Sequence, residues 1–271
     1  MVRAMSARNQ TDRPGGQGPG SDARTHFGFR DVAEAEKAPL VKGIFQSVAG
    51  RYDLMNDLMS GGIHRLWKAA MVDWLDPRPG IRLLDAAGGT ADIALKVRER
   101  LAGQSDKTSS ILVCDLTPEM LEIGRDRALD RGVFDGIDWI CGDAQRLPLQ
   151  DSSVSAYTIA FGLRNVTRID QALEEARRVL KPGGRFLCLE FSRVVQPLFS
   201  ALYDRYSFQV LPAMGAAIAG DREAYVYLAE SIRRFPPQDE LAAKMTRAGL
   251  SQVRYRNLSG GIAAIHSGWR V

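Results

Sequence analysis

The sequence predicts an α/β fold, a doubly wound and mostly parallel sheet with helices packed around it. Three observations carry that expectation. Short apolar runs of strand length alternate with amphipathic stretches of helix length from Ile81 onward. The first two runs end in acidic and small residues, Asp85 through Thr90 and then Asp115, at the carboxyl ends where such sheets bind ligands. The chain closes differently, on two strands joined by Leu258-Ser259-Gly260-Gly261, a hairpin signal. At 271 residues, one large domain is the simpler prior.

The elements follow in order. Leu40, Val41, Ile44, Phe45 and Val48 recur at helical spacing, so order is expected to begin near Pro39. A second helix runs from Ile63 to Leu75, after a loop over Arg51 to Asp57. Ile81 to Asp85 is a buried strand, followed by a small-residue turn and a helix from about Asp92 to Leu101. Ile111 to Asp115 is the next strand; Thr117-Pro118-Glu119 opens a helix, with a hydroxyl at the cap and proline at the first helical position. Asp138–Cys141 and Ala156–Phe161 are the third and fourth strands. Ile169, Ala172, Leu173, Ala176, Val179 and Leu180 form a helical stripe that Lys181-Pro182-Gly183-Gly184 stops, before a fifth strand from Phe186 to Leu189. A mostly helical insertion then runs to about Arg234, and a helix from Gln238 to Ala248 precedes the last strands, Gln252–Tyr255 and Ile262–His266.

Composition narrows the class. An apolar fraction of 45% is ordinary for a globular core and needs no disulfides. Cys114, Cys141 and Cys188 sit in apolar runs without the paired spacing of a zinc or redox site, so they read as buried thiols in a reducing compartment, with no metal. A net charge of +4 is compatible with an anionic membrane surface but far from a nucleic-acid-binding signature. No apolar run reaches the ~18–20 residues of a membrane span. The amino terminus lacks an apolar core for a signal, and Asp12, Asp22 and the Gly/Pro-rich run from Pro14 to Gly20 disfavour a transit peptide. Residues 1–30 read as a disordered tail and 31–271 as the domain.

Candidate ligands line up along one edge: Asp85 and Gly88-Gly89-Thr90 after strand one, Asp115 after strand two, Asp143-Ala144 after strand three, and Phe161 to Asn165 after strand four. Glycines let a backbone approach a ligand closely. Asp115 is placed to accept hydrogen bonds from two ribose hydroxyls, although it also reads as a helix cap, and Asp143 to meet an adenine amino group. A nicotinamide site would need Gly-x-Gly-x-x-Gly and a P-loop Gly-Lys-Ser/Thr; neither is present.

These residues carry a closer likeness. The strand order, the Gly-Gly-Thr turn and the terminal hairpin resemble a Rossmann-like class I methyltransferase dependent on S-adenosyl-L-methionine (SAM), with a seven-stranded sheet and an N-terminal helical cover. Phe45 through Ala49, Arg51-Tyr52-Asp53-Leu54-Met55-Asn56-Asp57 and Phe161-Gly162-Leu163-Arg164-Asn165-Val166 resemble the ubiquinone/menaquinone biosynthesis C-methyltransferases. So do Arg178 to Gly184, Tyr225 to Arg233, and Gly261 to His266 with Gly268-Trp269. The likeness covers everything from about Phe27 onward, with the cover at about 38–76 and a lid insertion at about 193–235.

The resemblance implies C-methylation of a polyprenylated benzoquinol or demethylmenaquinol, with SAM held by Thr90, Asp115, Asp143 and Ala144, and Ala160 at the strand-four position. Methyl transfer to carbon needs a ring made nucleophilic by loss of a hydroxyl proton. Arg164 is expected to stabilise the ionised ring or orient a water, Asn165 to orient a ring oxygen, and Tyr52 to bridge cofactor and quinol. The alternative reading of Arg164 and Asn165 is that they cap the loop. His64 reads as a packing or surface residue rather than a base. Met55, Met59 and the segment from Phe199 to Ile218 are expected to be core, with the latter the best candidate for a prenyl channel. The chain departs from the family's usual Gly-Gly-Thr-Gly-Asp at Ala91, which is expected in the first helical turn and harmless, and at Ala160, where relatives often carry serine. Ser155, where relatives carry aspartate, is expected to be structural.

Partners then include the prenylated quinol, a membrane met peripherally from the cytoplasm, companion enzymes of quinone biosynthesis and a second copy of the chain in a homodimer. A methyltransferase recruited to another phenolic substrate, and a SAM- or lipid-binding scaffold without turnover, remain as alternatives. The slight charge and the lack of an Asn/Asp-Pro-Pro-aromatic or Pro-Cys segment disfavour a nucleic-acid methyltransferase.

Overall fold

The computed structural model describes residues 23–51, 56–57, 60–103, 106, 108–194 and 222–271. Tyr52, Met55, Met59 and the Phe199–Ile218 segment lie outside them. Five strands, β3 (Arg82–Ala86), β4 (Ser110–Asp115), β5 (Ile137–Cys141), β6 (Val154–Ala160) and β7 (Leu180–Phe191), run parallel. They are joined by β8 (Ser251–Leu258) and β9 (Ala263–Trp269) in the order β5-β4-β3-β6-β7-β9-β8, with β9 antiparallel to both neighbours.

Alternation along each strand makes two cores. Leu83, Ala156 and Leu187 face one side, with Met71 of α2 (His64–Leu75) and Leu95 of α3 (Asp92–Ala102). Their neighbours Leu84, Tyr157 and Cys188 face the other, against Leu173 of α5 (Ile169–Val179) and Leu241 of α7 (Gln238–Arg247). Helix α4 (Pro118–Asp130) joins the first layer through Leu121 and Ala128, as does α6 (Arg222–Arg234) through Tyr225 and Leu228. Burial on both faces explains why the parallel strands read as continuous apolar runs.

Order begins earlier than the sequence suggested. Arg24–Phe27 and Arg30–Ala33 form an antiparallel hairpin, β1–β2, which leads directly into α1 (Glu34–Val48). The Glu36 carboxylate accepts the Ala33 N–H and stands in for the missing cap at the helix start. Phe27 stacks on Tyr227 with ring centroids 4.2 Å apart, and the Phe29 N–H donates to Glu230. The hairpin is thus held by α6, some 200 residues away, and no local pattern announces it. Pro39 lies inside α1 rather than at its start.

The three cysteines are not alike: Cys114 and Cys188 are buried, as expected of thiols in apolar runs, but Cys141 is exposed. It ends β5, which among the described residues pairs with β4 alone at the edge of the sheet. Ser155 is structural, its hydroxyl accepting the Arg82 N–H at 2.9 Å.

Ala91 is not in the first turn of α3, where the sequence put it, but at its cap, in the left-handed region with φ +63°. Its N–H donates to the Gly88 carbonyl and its carbonyl accepts from Leu95, so the turn holds it there. The side chain is fully buried. A Cβ in this region costs ~1–2 kcal/mol. Ala91→Gly is therefore expected to stabilise the protein by about 1 kcal/mol, a rise in Tm of roughly 2–4 °C, less the flexibility glycine adds to the unfolded chain. An unchanged or lower Tm in a thermal melt would show that the turn is not strained.

Candidate active site

The chain leaves β3 toward β4 and β5, then returns to place β6 on the other side of β3. Ligands of open α/β sheets bind at such a reversal, beyond the carboxyl ends. A cleft of about 740 Å³ opens there. Helix α1 forms its roof with Ala38, Val41, Lys42 and Phe45, one face at the spacing i, i+3, i+4, i+7. Three contacts hold the roof down: Gln46 donates to Glu119, Glu34 pairs with Arg168, and Lys37 donates to the Val166 carbonyl at 3.0 Å.

The floor is built from strand ends. Asp115 accepts the N–H of Gly89 on one carboxylate oxygen and that of Thr117 on the other, both at 2.9 Å. Burial pushes its carboxyl up, while those backbone donors pull it down. Gly89 itself has φ +51°, which glycine adopts freely, and presents the turn to the carboxylate. Asp143 is held by the backbone and side-chain N–H groups of Gln145. Asp115, Asp143, Ala144 and Gly89 all line the cleft. Leu116 and Met120 add apolar surface beside them.

Behind the glycine turn lies a smaller cavity, lined by Asp85, Gly88, Thr90 and Ala160, with Lys68 and Asp92 closing it. The Thr90 hydroxyl accepts from Arg127 and is buried, so Thr90 faces this cavity rather than the main cleft. Gly88 admits no side chain: a Cβ would lie 2.8 Å from Val113 and 2.9 Å from the Asp85 carbonyl. Asp85 accepts from the Thr158 hydroxyl on Oδ1, whereas Oδ2 is buried with no hydrogen-bond partner among the described residues. Burial pushes its carboxyl up to about 7 from 3.8, against the opposing pull of the Thr158 hydroxyl, the Ala94 backbone and Lys68.

A raised carboxyl has a definite linkage sign. The folded protein holds a proton that the unfolded chain has released, so this contribution to stability is lost as pH rises through about 7. Asp85→Asn is expected to raise the Tm of the SAM-free protein by little at pH 4–5 and by several degrees at pH 8. A gap independent of pH would contradict the burial argument.

On the substrate side, β6 is followed by Phe161, a non-glycine residue at φ +57°. Its N–H donates to the Leu189 carbonyl at 2.8 Å, and its own carbonyl accepts from Arg164 and from Asn165. Strain held in place by surrounding bonds is common at functional sites. Asn165 lines the cleft. Arg164 does not: its guanidinium is buried behind the turn, paired with Glu190 at 3.0 Å and 5.5 Å over the Phe191 ring. The loop-capping alternative thus describes Arg164 better than contact with the ring. His64 is buried against Asp57 at 2.9 Å, as a packing residue would be.

The comparisons with known proteins agree with this geometry. The model of the ubiE/COQ5 methyltransferase family matches residues 30–270. The chain belongs to the ubiE/COQ5 methyltransferase family. It is 55% identical to the ubiquinone/menaquinone biosynthesis C-methyltransferase UbiE of Paracoccus denitrificans, over 93% of this chain and 99% of that one. A second relative, the mitochondrial 2-methoxy-6-polyprenyl-1,4-benzoquinol methylase of Danio rerio, is 50% identical over 91% of this chain and 84% of its own. Among solved structures, a SAM-dependent methyltransferase of Thermotoga maritima superposes with a TM-score of 0.60 at 20% identity, covering 85% of this chain and 100% of that one. That likeness is one of fold, a Rossmann-like class I methyltransferase fold.

As a methyltransferase of this family, the protein uses SAM, and the cleft fits it. Asp115 offers acceptors for vicinal hydroxyls, Asp143 an acceptor for an exocyclic amine, and Leu116 and Met120 a surface for a flat base. The buried Oδ2 of Asp85, unpartnered among the described residues, suits the ammonium of an amino acid.

Several residues around the site escaped the sequence reading. Lys68 pairs with Asp92 and lies 6.0 Å from the Phe161 ring centroid. Its signal was available: it falls on the buried stripe of α2 with His64, Trp67, Met71 and Val72, where a lysine is out of place. Lys37 sits likewise on the stripe of α1 that buries Val41 and Val48, and Glu190 within the apolar end of β7.

Proposed function

We propose that this methyltransferase transfers the methyl group of SAM to a ring carbon of a polyprenylated benzoquinol or demethylmenaquinol in ubiquinone/menaquinone biosynthesis. The observation that carries the reading is near full-length identity, at 50–55%, to relatives named for such reactions. When bound, SAM supplies an electrophilic methyl on a sulfonium leaving group, so the protein's task is mainly positioning. Asp115 and Asp143 fix the nucleoside end, and the turn from Gly88 to Thr90 the amino-acid end. Asn165 orients a ring oxygen on the opposite wall. Loss of that hydroxyl's proton loads the ortho and para carbons with electron density, and a donor at the oxygen stabilises the resulting charge. Arg164 acts as a positioning residue, holding the Phe161 carbonyl and hence the turn that carries Asn165.

A prenylated substrate resides in a bilayer. Among the described residues no helix is long and apolar enough to cross a membrane. We further propose that the protein touches the membrane peripherally from the cytoplasmic side, in company with other quinone-forming enzymes and as a homodimer. Turnover of labelled SAM on a short-chain demethyl quinol, kept reduced, tests the function. Label should enter the organic phase with the quinol and not with the oxidised quinone, because only the quinol has a hydroxyl to ionise. Equal transfer to both, or transfer to neither, would refute it.

A further inference from the structure

The amide of Asn165 is held from both ends. Its nitrogen donates to the Phe161 carbonyl at 3.4 Å, and its oxygen lies 3.0 Å from the hydroxyl of Tyr227 on α6. A carbonyl can only accept, so the Phe161 contact fixes which end is the amine, and Tyr227 must be the donor to the other. One amide N–H is then spent on Phe161, while the second has no acceptor among the described residues. Tyr227 is itself fixed. It is buried, its ring is stacked on Phe27 of the hairpin, and burial pushes its phenol up, so the hydroxyl remains a donor at any working pH. Next to Asn165, the Val166 carbonyl is held by Lys37 of the roof.

We propose that Tyr227 is a positioning residue for the methyl-transfer reaction: it fixes the Asn165 amide with its amine toward the cleft, so that the site selects an ionised ring oxygen over a protonated hydroxyl. The inference rests on the reading that Asn165 meets the aromatic ring. It gives the N-terminal hairpin a task, since Phe27 holds the tyrosine that orients the amide. A free amide can rotate to present its oxygen, which would favour the protonated and less nucleophilic form of the ring.

The test uses 4-nitrophenol, whose absorbance distinguishes phenol from phenolate, with SAM-loaded protein and Tyr227→Phe, which keeps the ring and its stack. Wild type should bind the phenolate about tenfold more tightly than Tyr227→Phe does, shifting the bound chromophore's ionisation to lower pH, with SAM affinity the same in both proteins. In an Asn165→Ala background, Tyr227→Phe should have no further effect on the spectrum. Equal spectra for wild type and Tyr227→Phe, or no ionisation shift in wild type, would overturn the proposal. So would a loss from Tyr227→Phe that persists without Asn165. Wild type that ionises the probe yet methylates no quinol would sink the substrate reading and leave this one standing.

Discussion

Replacing Asp115 with alanine is expected to weaken SAM binding by about 10²–10⁴-fold while leaving the fold intact. A carboxylate that accepts from two ribose hydroxyls makes two charge-assisted hydrogen bonds, each worth roughly 1.5–3 kcal/mol, and every 1.4 kcal/mol is tenfold in affinity. The same carboxylate holds Gly89 and Thr117, so its loss also frees the turn on which the cofactor rests. The cost to the SAM-free fold is smaller, because burial already disfavours the charged form. Calorimetric titration and thermal melts separate the two effects. Melting of the variant should fall by only a few degrees, and the rise in Tm that SAM gives the wild type should vanish. Asp115→Asn, which retains an acceptor, should fall between the two. A variant that binds SAM normally would remove Asp115 from the cofactor site.

Arg164→Ala is expected to act chiefly on stability. The guanidinium and the Glu190 carboxylate are both buried, and Glu190 also accepts the backbone N–H groups of Arg164 and Phe191. Removing one partner of a buried pair leaves an uncompensated charge and costs ~3–5 kcal/mol, on the order of 10 °C in Tm for a chain of this size. Burial pushes the Glu190 carboxyl up, so without arginine it takes a proton more readily, which softens the loss at low pH. Replacing both partners by methionine should recover most of the stability, since apolar side chains of similar size satisfy such a space well. Activity should not recover with it, because the Phe161 carbonyl has lost its donor and the turn beneath Asn165 is freer. A double variant with full turnover would show that the pair serves the fold alone, whereas an Arg164→Ala protein of unchanged Tm would contradict the buried ion pair.

What the sequence revealed, and what it hid, follows from the range of the interactions. The strands and helices were legible because burial on both faces writes apolar runs and stripes into the chain. The glycine turn, Asp115 and Asp143 were legible because parallel strands bring all their carboxyl ends to one edge. Ala91 was misread because Thr90-Ala91-Asp92-Ile93-Ala94 is good helix sequence, while its φ is set by the short connection between β3 and α3. The hairpin at Arg24–Ala33 was missed because Tyr227 and Glu230 hold it from far along the chain. Arg164 was assigned to the ring because its partner, Glu190, lies on a different strand and no spacing links them. Tyr227 was legible only as part of a family resemblance; its contact with Asn165 needed the fold.

Delivery of the methyl group to ring carbon is read by carbon-13 NMR of the product formed from SAM labelled at the sulfonium methyl, with a reduced short-chain demethyl quinol as acceptor. One new resonance is expected at the shift of a methyl on an aromatic carbon, absent with Asp115→Ala. A resonance at the shift of a methoxy group would mean that the ring oxygen is the nucleophile, and would contradict transfer to carbon.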